Sequence, residues 1–505
     1  MIIDAMLEGF GALVMWPVAG YILLGTVIGL AAGVVPGISG SVALALIIPL
    51  TLAMDPTHAV ALLAAALGGT TFGGAITAIL LNTPGTPDNA ATCIEGYPMS
   101  QQGKAGEALG ITAVCSAIGA LFGLGVFALL IPVMREIVAA FGPPELFMVA
   151  LFGLTIIASL SRGAMIAGLV AGAFGLMLSY VGQSGVALDA RYLFGEAYFL
   201  SGIELVPALI GLFAIAEMMR LAVTGRRIAG RSRIEPGGAW RGVRTGLAHP
   251  WILLRSSVIG FGIGVAPGVG GTVASFVAYS ATQQSAKDKS RFGKGDPRGL
   301  IAPTSAADAV DGGSLMPTLA LGIPGSPSTA VLLGALILHG TFPGRQLFTE
   351  DLHIVFTLVG ALVISNVLTS VFGVLTAKPL AAMTTVDVRI LVPLVLVVTV
   401  FGAYAVRNTI GDVFLALAFG VIGYLMIRFG YGRVPAIIGL VLGGLVEQSF
   451  HTSLQISGGS ASIFVTRPIS LAFLVVTVFA IGLVIYRSVR ARNAPAEETI
   501  TTQLL

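Results

Sequence analysis

The chain has 505 residues, 56% of them hydrophobic and only 10% charged, with a net charge of +3 and a mean hydropathy of +0.95. So little polar surface cannot cover a soluble globule of this size, which leaves a polytopic α-helical membrane protein. No Gly-x-x-x-x-Gly-Lys-Ser/Thr phosphate loop occurs, so the sequence encodes no nucleotide-driven motor.

Taken from the N-terminus, Met1 to Glu8 lacks a basic region, and no small-residue cleavage site follows, so no removable signal peptide is expected. The apolar stretch from Gly20 to Met54 is interrupted at Pro36-Gly37-Ile38-Ser39-Gly40. Further apolar segments lie near 59–81, 105–133, 144–161, 163–182 and 197–221. A basic loop follows, with Arg220, Arg226, Arg227, Arg231, Arg233, Arg241 and Arg244. The run Ile252 to Ala266 is 15 residues, roughly 22 Å of helix against a hydrocarbon core of about 30 Å, and is too short to span. It breaks at Pro267-Gly268-Val269-Gly270-Gly271, and a second basic loop carries Lys287, Lys289, Arg291, Lys294 and Arg298. The remaining apolar segments fall near 300–322, 328–342, 353–377, 388–405, 411–428, 434–447 and 468–487.

Both basic loops and the tail with Arg487, Arg490 and Arg492 are expected on the cytoplasmic side, and the loops act as topology anchors rather than nucleic-acid sites. Two cytoplasmic loops around one short broken segment imply a re-entrant hairpin, tolerated in lipid only where protein or a wet cavity surrounds the break. The first hairpin has no Lys or Arg near it and is flanked by Asp4, Glu8 and Asp55, which favours entry from the outer face.

The two breaks belong to an internal duplication. Gly33-x-x-Pro36-Gly37-x-x-Gly40 is repeated as Gly264-x-x-Pro267-Gly268-x-x-Gly271, 231 residues on. Pro84-Gly85-Thr86-Pro87 is repeated as Pro324-Gly325-Ser326-Pro327, 240 residues on. Opposite entry of the two hairpins makes the halves inverted repeats, with about 12 membrane segments in all. The expected divisions are a first repeat half over 1–224, a basic linker over 225–249, a second half over 250–488 and a polar tail over 489–505 that includes Pro495, Glu497 and Glu498.

Paired broken helices in matching positions point to a transporter's substrate site, because helix N-termini offer N–H groups to anions while freed carbonyls and hydroxyls suit small cations. Substrate binding is expected at Gly37, Ser39, Gly40, Asn82, Thr83, Gly85, Thr86 and Asn89, and at Gly268, Gly270, Gly325, Ser326, Ser328 and Thr329. Carboxylates inside apolar sequence are costly and mark function, so Asp88, Asp308 and Asp311, with Thr92, Thr272 and Ser314, are the expected ion-coupling residues. Na⁺ or H⁺ is the implied ion, with no other metal and no cofactor. Glu204, Glu217, Glu447 and Arg162 suit structural pairs or interfacial positions; His58, His339 and His451 have no ligand spacing. Cys93 and Cys115 form no redox pattern. One competing motif, Gly37-Ile38-Ser39-Gly40, matches the Gly-x-Ser-Gly of rhomboid-type intramembrane proteases with His339 as base, but the repeat copy lacks the serine.

From about Gly20 to Ser449 the chain resembles the large membrane subunit of the tripartite tricarboxylate transporters, the TctA family. The resemblance is carried by Pro36-Gly37, by Asn82-Thr83-Pro84-Gly85-Thr86-Pro87 followed by Gly96-Tyr97-Pro98 and Gly103-Lys104-Ala105-Gly106, and by Gly202-Ile203 leading to Gly211-Leu212-Phe213-Ala214. Pro267-Gly268, Phe292-Gly293-Lys294-Gly295, Gly322-Ile323-Pro324-Gly325 and Pro343-Gly344 continue it. It implies uptake of a di- or tricarboxylic acid across a bacterial inner membrane, driven by a cation gradient. The implied partners are a periplasmic solute-binding protein and a small membrane subunit, and the implied motion is an elevator-like shift of the hairpins and broken helices. A different solute, such as an amino acid or aromatic acid, is the alternative cargo. Where the family typically reads Ala-Pro-Glu-Ala-Ala-Asn-Asn-Ala, this chain has Ala302-Pro303-Thr304-Ser305-Ala306-Ala307-Asp308-Ala309, and Arg345 replaces the usual proline after Pro343-Gly344. These changes alter oxygen ligands beside the second break.

Overall fold

The computed structural model describes residues 2–35, 37–159, 165–184, 189–224, 238–376 and 388–493. Pro36, Arg162, Arg226, Arg227, Arg231, Arg233, Pro495, Glu497 and Glu498 lie outside them. Apart from a two-residue antiparallel pairing of Gly182–Gln183 with Ala190–Arg191, the regular structure among the described residues is helical, as composition requires.

The first half builds α1 (Ile2–Val14), α2 (Val18–Val34), α3 (Gly40–Thr51), α4 (Pro56–Leu81), α5 (Thr92–Gln101), α6 (Ala105–Ala139), α7 (Pro143–Ser159) and α8 (Met165–Ser179). Then α9 (Leu205–Leu209) runs through a π-helical stretch, Ile210–Ile215, into α10 (Ala216–Thr224). Next come α11 (Gly238–Leu247), α12 (Pro250–Val265), α13 (Gly270–Ser285), α14 (Pro297–Leu321), α15 (Pro327–Leu338), α16 (Arg345–Thr349) and α17 (Leu352–Leu375). The last are α18 (Val388–Arg407), α19 (Ile410–Phe429), α20 (Arg433–Ile456), α21 (Ile463–Thr466) and α22 (Pro468–Asn493).

Seven helices among the described residues are long and apolar enough to cross a membrane, and α1 with α2, bent by 69°, makes an eighth. The rest of the apolar sequence sits in six helices of 10–17 residues, the lengths expected of half-helices and hairpin arms. The residues form two compact units, one from 1–140 with 203–428 and the other from 141–202 with 429–505. The units cut across the duplicated halves instead of following them.

In the first unit the duplication is repeated in three dimensions. Helices α2 and α3 both pack on α4, and α12 and α13 both pack on α14. A Cβ placed on Gly29 or Gly33 would lie 2.1 or 2.2 Å from the carbonyl oxygens of Ala66 and Thr70 on α4; on Gly260 or Gly264, 2.3 or 2.5 Å from those of Ala306 and Val310 on α14. Those residues correspond pairwise across the repeat. Such small-residue stripes let backbones touch where lipid supplies no hydrophobic drive between helices. The long helix of each half crosses the central helix of the other. Gly119 of α6 meets the Ser305 carbonyl on α14, while Ser365 of α17 donates to the equivalent Ala65 carbonyl on α4 at 2.5 Å.

The linker carries a helix, α11, whose Gly238, Gly242 and Gly246 lie against α6 and whose Trp240 is exposed. In the second unit, Glu145 pairs with Arg467 at 2.9 Å and Glu447 with Arg191 at 2.6 Å. In the first, Glu217 pairs with Arg220, and Glu204 lies 3.8 Å from Arg407. These are structural pairs.

Candidate functional site

Each break ends a central helix in a left-handed residue. Asn82 (φ 52°) stops α4 and Gly322 (φ 69°), its repeat equivalent, stops α14. Asn82 is exposed and Thr83 donates to the Leu81 carbonyl at 3.3 Å, so at these two positions the described residues show a turn rather than converging polar groups. Past the turn, Gly85 and Gly325 occupy matching clefts. A Cβ on Gly85 would lie 2.2 Å from the Gly33 carbonyl oxygen and 2.6 Å from Gly74 Cα; a Cβ on Gly325 would lie 2.5 Å from Ser314 Cβ and 3.1 Å from the Gly264 oxygen.

Beyond each glycine the chain re-enters helix differently. Pro87–Asn89 forms one 3-10 turn before α5, and the Asn89 amide bridges the Thr71 carbonyl at 2.7 Å and the Thr86 hydroxyl at 2.8 Å. In the second half Ser326 and Thr329 form a capping box that starts α15 at once. At the hairpin tips Gly37 (φ 95°) and Gly268 (φ 78°) are left-handed, a conformation that favours glycine. The Gly268 N–H donates to the Gly325 carbonyl at 3.1 Å.

The breaks meet crosswise. The Thr272 hydroxyl on α13 donates to Asp88 of the first break at 3.0 Å, and a Cβ on Gly271 would lie 2.7 Å from Asp88 Cγ. Reciprocally, a Cβ on Gly40, in the first turn of α3, would lie 2.7 Å from the Ser328 hydroxyl of the second break. Reciprocal contact of this kind is the mark of a two-fold relation between the halves. Asp308 and Asp311 stand one turn apart on α14 within electrostatic reach of Asp88. Asp308 is 1% exposed and, among the described residues, neither of its carboxylate oxygens has a hydrogen-bond partner; its polar neighbour on α6, Ser116, falls short of bonding geometry. Ser314 donates to the Asp311 carbonyl at 3.1 Å, and Thr92 is buried at the start of α5. Gly270 (φ 70°) has open space beside it. Among the described residues no three His, Cys, Asp or Glu side chains converge as a metal site.

The protease pairing does not assemble. Ser39 shares a 2.9 Å hydrogen bond with Ser41 at the start of α3, and His339 bonds Thr51 at 2.8 Å at the other end of that helix.

Glu95 is the residue that sequence reasoning missed. It is 0% exposed and accepts four hydrogen bonds: from Tyr279 Oη at 2.9 Å and from the backbone N–H groups of Gly293, Gly295 and Asp296 at 2.6, 2.8 and 2.8 Å. Gly293 (φ 78°) and Gly295 (φ 92°) turn those N–H groups inward as an anion-holding nest. The two motifs around Gly96 and Phe292 therefore form one latch joining α5 to the start of α14. The available signal was a lone glutamate beside a glycine motif, with a second glycine motif to receive it.

Asp296 caps α14 through the Arg298 N–H and pairs with its guanidinium at 2.7 Å. Burial alone would push the Asp296 carboxyl up, but these contacts more than offset it and hold it below its ordinary value. A carboxyl depressed by folding adds stability above its unfolded value, about 3.9, and that stability is lost as pH falls through the folded value. Asp296→Asn is expected to unfold at a lower temperature than wild type at neutral pH, and the two are expected to converge in strong acid. Thermal unfolding in detergent across a pH series checks this.

Duplicated broken helices brought into contact within a polytopic helical unit define a membrane transport protein. The chain belongs to the tripartite tricarboxylate transporter TctA family, whose model it matches over residues 20–438. It is 32% identical over 481 residues to an uncharacterized 52.8 kDa protein from the TAR-I ttuC' 3' region of Agrobacterium vitis, which covers 95% of this chain and 94% of that protein. It is also 33% identical over 231 residues to an uncharacterized protein from the TAR-II ttuC' 3' region of the same organism, covering 46% of this chain and 96% of that protein.

Proposed function

We propose that this subunit imports a di- or tricarboxylic acid together with Na⁺ or H⁺ across a bacterial inner membrane, its C-terminus in the cytoplasm. In this reading a periplasmic solute-binding protein delivers the acid and a small membrane subunit completes the carrier. The observation that supports it best is the crosswise meeting of the breaks, Asp88 with Thr272 and Gly40 with Ser328. It sets hydroxyls and helix N-termini, suited to an anion, close to Asp308 and Asp311, suited to a cation. An axis in the membrane plane makes the two-fold relation an inverted repeat, and the hairpins with the broken helices are then the parts that carry the site between the two faces.

The test is uptake of labelled succinate, tartrate and citrate into proteoliposomes holding this subunit with its two partners, under separately imposed Na⁺ and proton gradients. Uptake driven by one of the two gradients is expected, with Asp308→Asn lowering its dependence on that gradient. Absence of gradient-driven uptake of every acid would sink the carboxylate reading.

A further inference from the structure

Two of the chain's three tryptophans, Trp240 and Trp251, stand 64% and 69% exposed on consecutive helices, α11 and α12. Their indoles are too large and apolar to be left in water without cost. The orientation of α11 is set by glycines. A Cβ on Gly242 would lie 2.0 Å from the Glu107 carbonyl oxygen on α6, and a Cβ on Gly110 of α6 would lie 1.9 Å from the Ala239 carbonyl oxygen on α11. The two backbones therefore touch, and the other side of α11 faces outward. That side carries Trp240, Arg241, Arg244 and Leu247, all exposed. On α12, Leu254 and Val258 are exposed on the face that Trp251 begins, by their spacing of three and seven residues.

The charge on this surface is uncompensated. Arg244 lies over the Trp240 ring at 5.7 Å, and among the described residues no carboxylate pairs with Arg241, Arg244 or Arg255. Arg255, one turn past Trp251, donates to the hydroxyls of Ser285 and Thr282 on α13 at 2.8 and 2.9 Å, while its buried Nε has no partner. Hydroxyls orient a guanidinium but bring it no negative charge. The sequence from 220 to 255 holds eight arginines against one carboxylate, Glu235, so an anion has to come from outside the segment. Tryptophan and arginine at one end of an exposed apolar stripe is the pattern found where lipid headgroups meet acyl chains.

We propose that the surface carrying Trp240, Arg241, Arg244, Trp251 and Arg255 binds anionic phospholipid, its guanidiniums holding headgroup phosphates and its two indoles lying at headgroup level in the same leaflet. A planar guanidinium suits phosphate because it can donate two parallel hydrogen bonds to it. An apolar protein segment laid here would cover the indoles and leave the arginines unanswered. Because α11 touches α6 backbone to backbone, bound lipid steadies the helix that crosses α14 without reaching the breaks. The proposal requires a membrane-embedded chain and is independent of the solute carried.

The experiment places the purified full chain in nanodiscs of phosphatidylcholine with rising fractions of phosphatidylglycerol, one lipid or the other carrying brominated acyl chains that quench nearby indoles. Every form carries Trp16→Phe, so that emission comes from Trp240 and Trp251. Brominated phosphatidylglycerol is expected to quench more than brominated phosphatidylcholine at equal mole fraction. Arg241→Gln and Arg255→Gln should each lower that preference about fivefold, the loss of one cation beside an anionic surface. The two combined with Arg244→Gln should abolish it. Lys287→Gln with Lys289→Gln, at exposed positions of the other basic loop, should leave it unchanged. Equal quenching by the two lipids, or a preference that survives in the triple arginine variant, would overturn the proposal. Quenching by neither lipid would do the same, since protein would then cover the surface. Loss of the preference on adding inorganic phosphate at matched ionic strength would show a free-anion site and overturn the lipid assignment.

Discussion

Glu95→Ala is expected to lower the unfolding free energy by about 3–5 kcal/mol, the upper range for a single substitution, because it leaves two buried backbone N–H groups, a third that is part-buried and a tyrosine hydroxyl without an acceptor. Those groups are Gly293, Gly295 and Asp296, with Tyr279. Glu95→Gln should cost nearly as much. An amide keeps the shape, but its NH₂ would face the N–H groups of Gly295 and Asp296, donor against donor. The local consequence is release of the loop that Gln102 also holds through the Lys294 carbonyl at 2.7 Å. Trypsin cleavage at Arg291 and Lys294 should therefore accelerate in both variants alongside the fall in unfolding temperature. A Gln variant as stable and as protease-resistant as wild type would show that the latch does not hold this loop.

Alanine at Gly85 or Gly325 is expected to cut gradient-driven uptake by about a hundredfold, the scale of loss produced by displacing positioning groups by an ångström. The new methyl at Gly85 meets the Gly33 oxygen at 2.2 Å and at Gly325 meets Ser314 Cβ at 2.5 Å. Neither obstacle is the end of a flexible side chain, so the break itself must move. Overpacking of this kind costs about 1–3 kcal/mol, so the variants are expected to fold and the loss of uptake is read on folded protein. Gly125 and Gly262 have nothing within 4 Å of an added Cβ, and alanine there should leave uptake and stability near wild type. Transport counts and unfolding temperatures of the four variants, compared side by side, decide the matter. Equal effects at all four would mean that close packing at the breaks is not what transport depends on.

Much of the architecture was legible because membrane solvent imposes simple rules. Hydropathy marked the helices, and runs too short to span, such as Ile252 to Ala266, marked the half-helices. The repeat of Pro-Gly clusters located both breaks, and the left-handed turns at Gly37 and Gly268 follow from glycine being the residue that adopts them at little cost. The carboxylates Asp88, Asp308 and Asp311 stood out because charge in apolar sequence is expensive. That Asp88 is met by Thr272, 184 residues away, could not be read this way. A duplication states which residues are equivalent, but not which of them touch.

Glu95 escaped notice for a related reason. Its four donors come from 184 to 201 residues along the chain, and a glutamate beside a polar turn reads as a solvated charge until a glycine nest closes over it. The exchange of long helices, α6 onto α14 and α17 onto α4, is likewise absent from periodicity, since these helices are apolar on most faces and their pattern names no partner. The sequence by itself determined that this protein is a membrane-embedded, duplicated, helix-broken chain with hydroxyls and carboxylates at its breaks, because those properties are set by local solvation and backbone sterics. Only the tertiary structure decided that each hairpin meets the opposite half's break. It thereby set Asp88 against Thr272 and Ser328 against Gly40, since those meetings depend on packing between residues far apart in the chain.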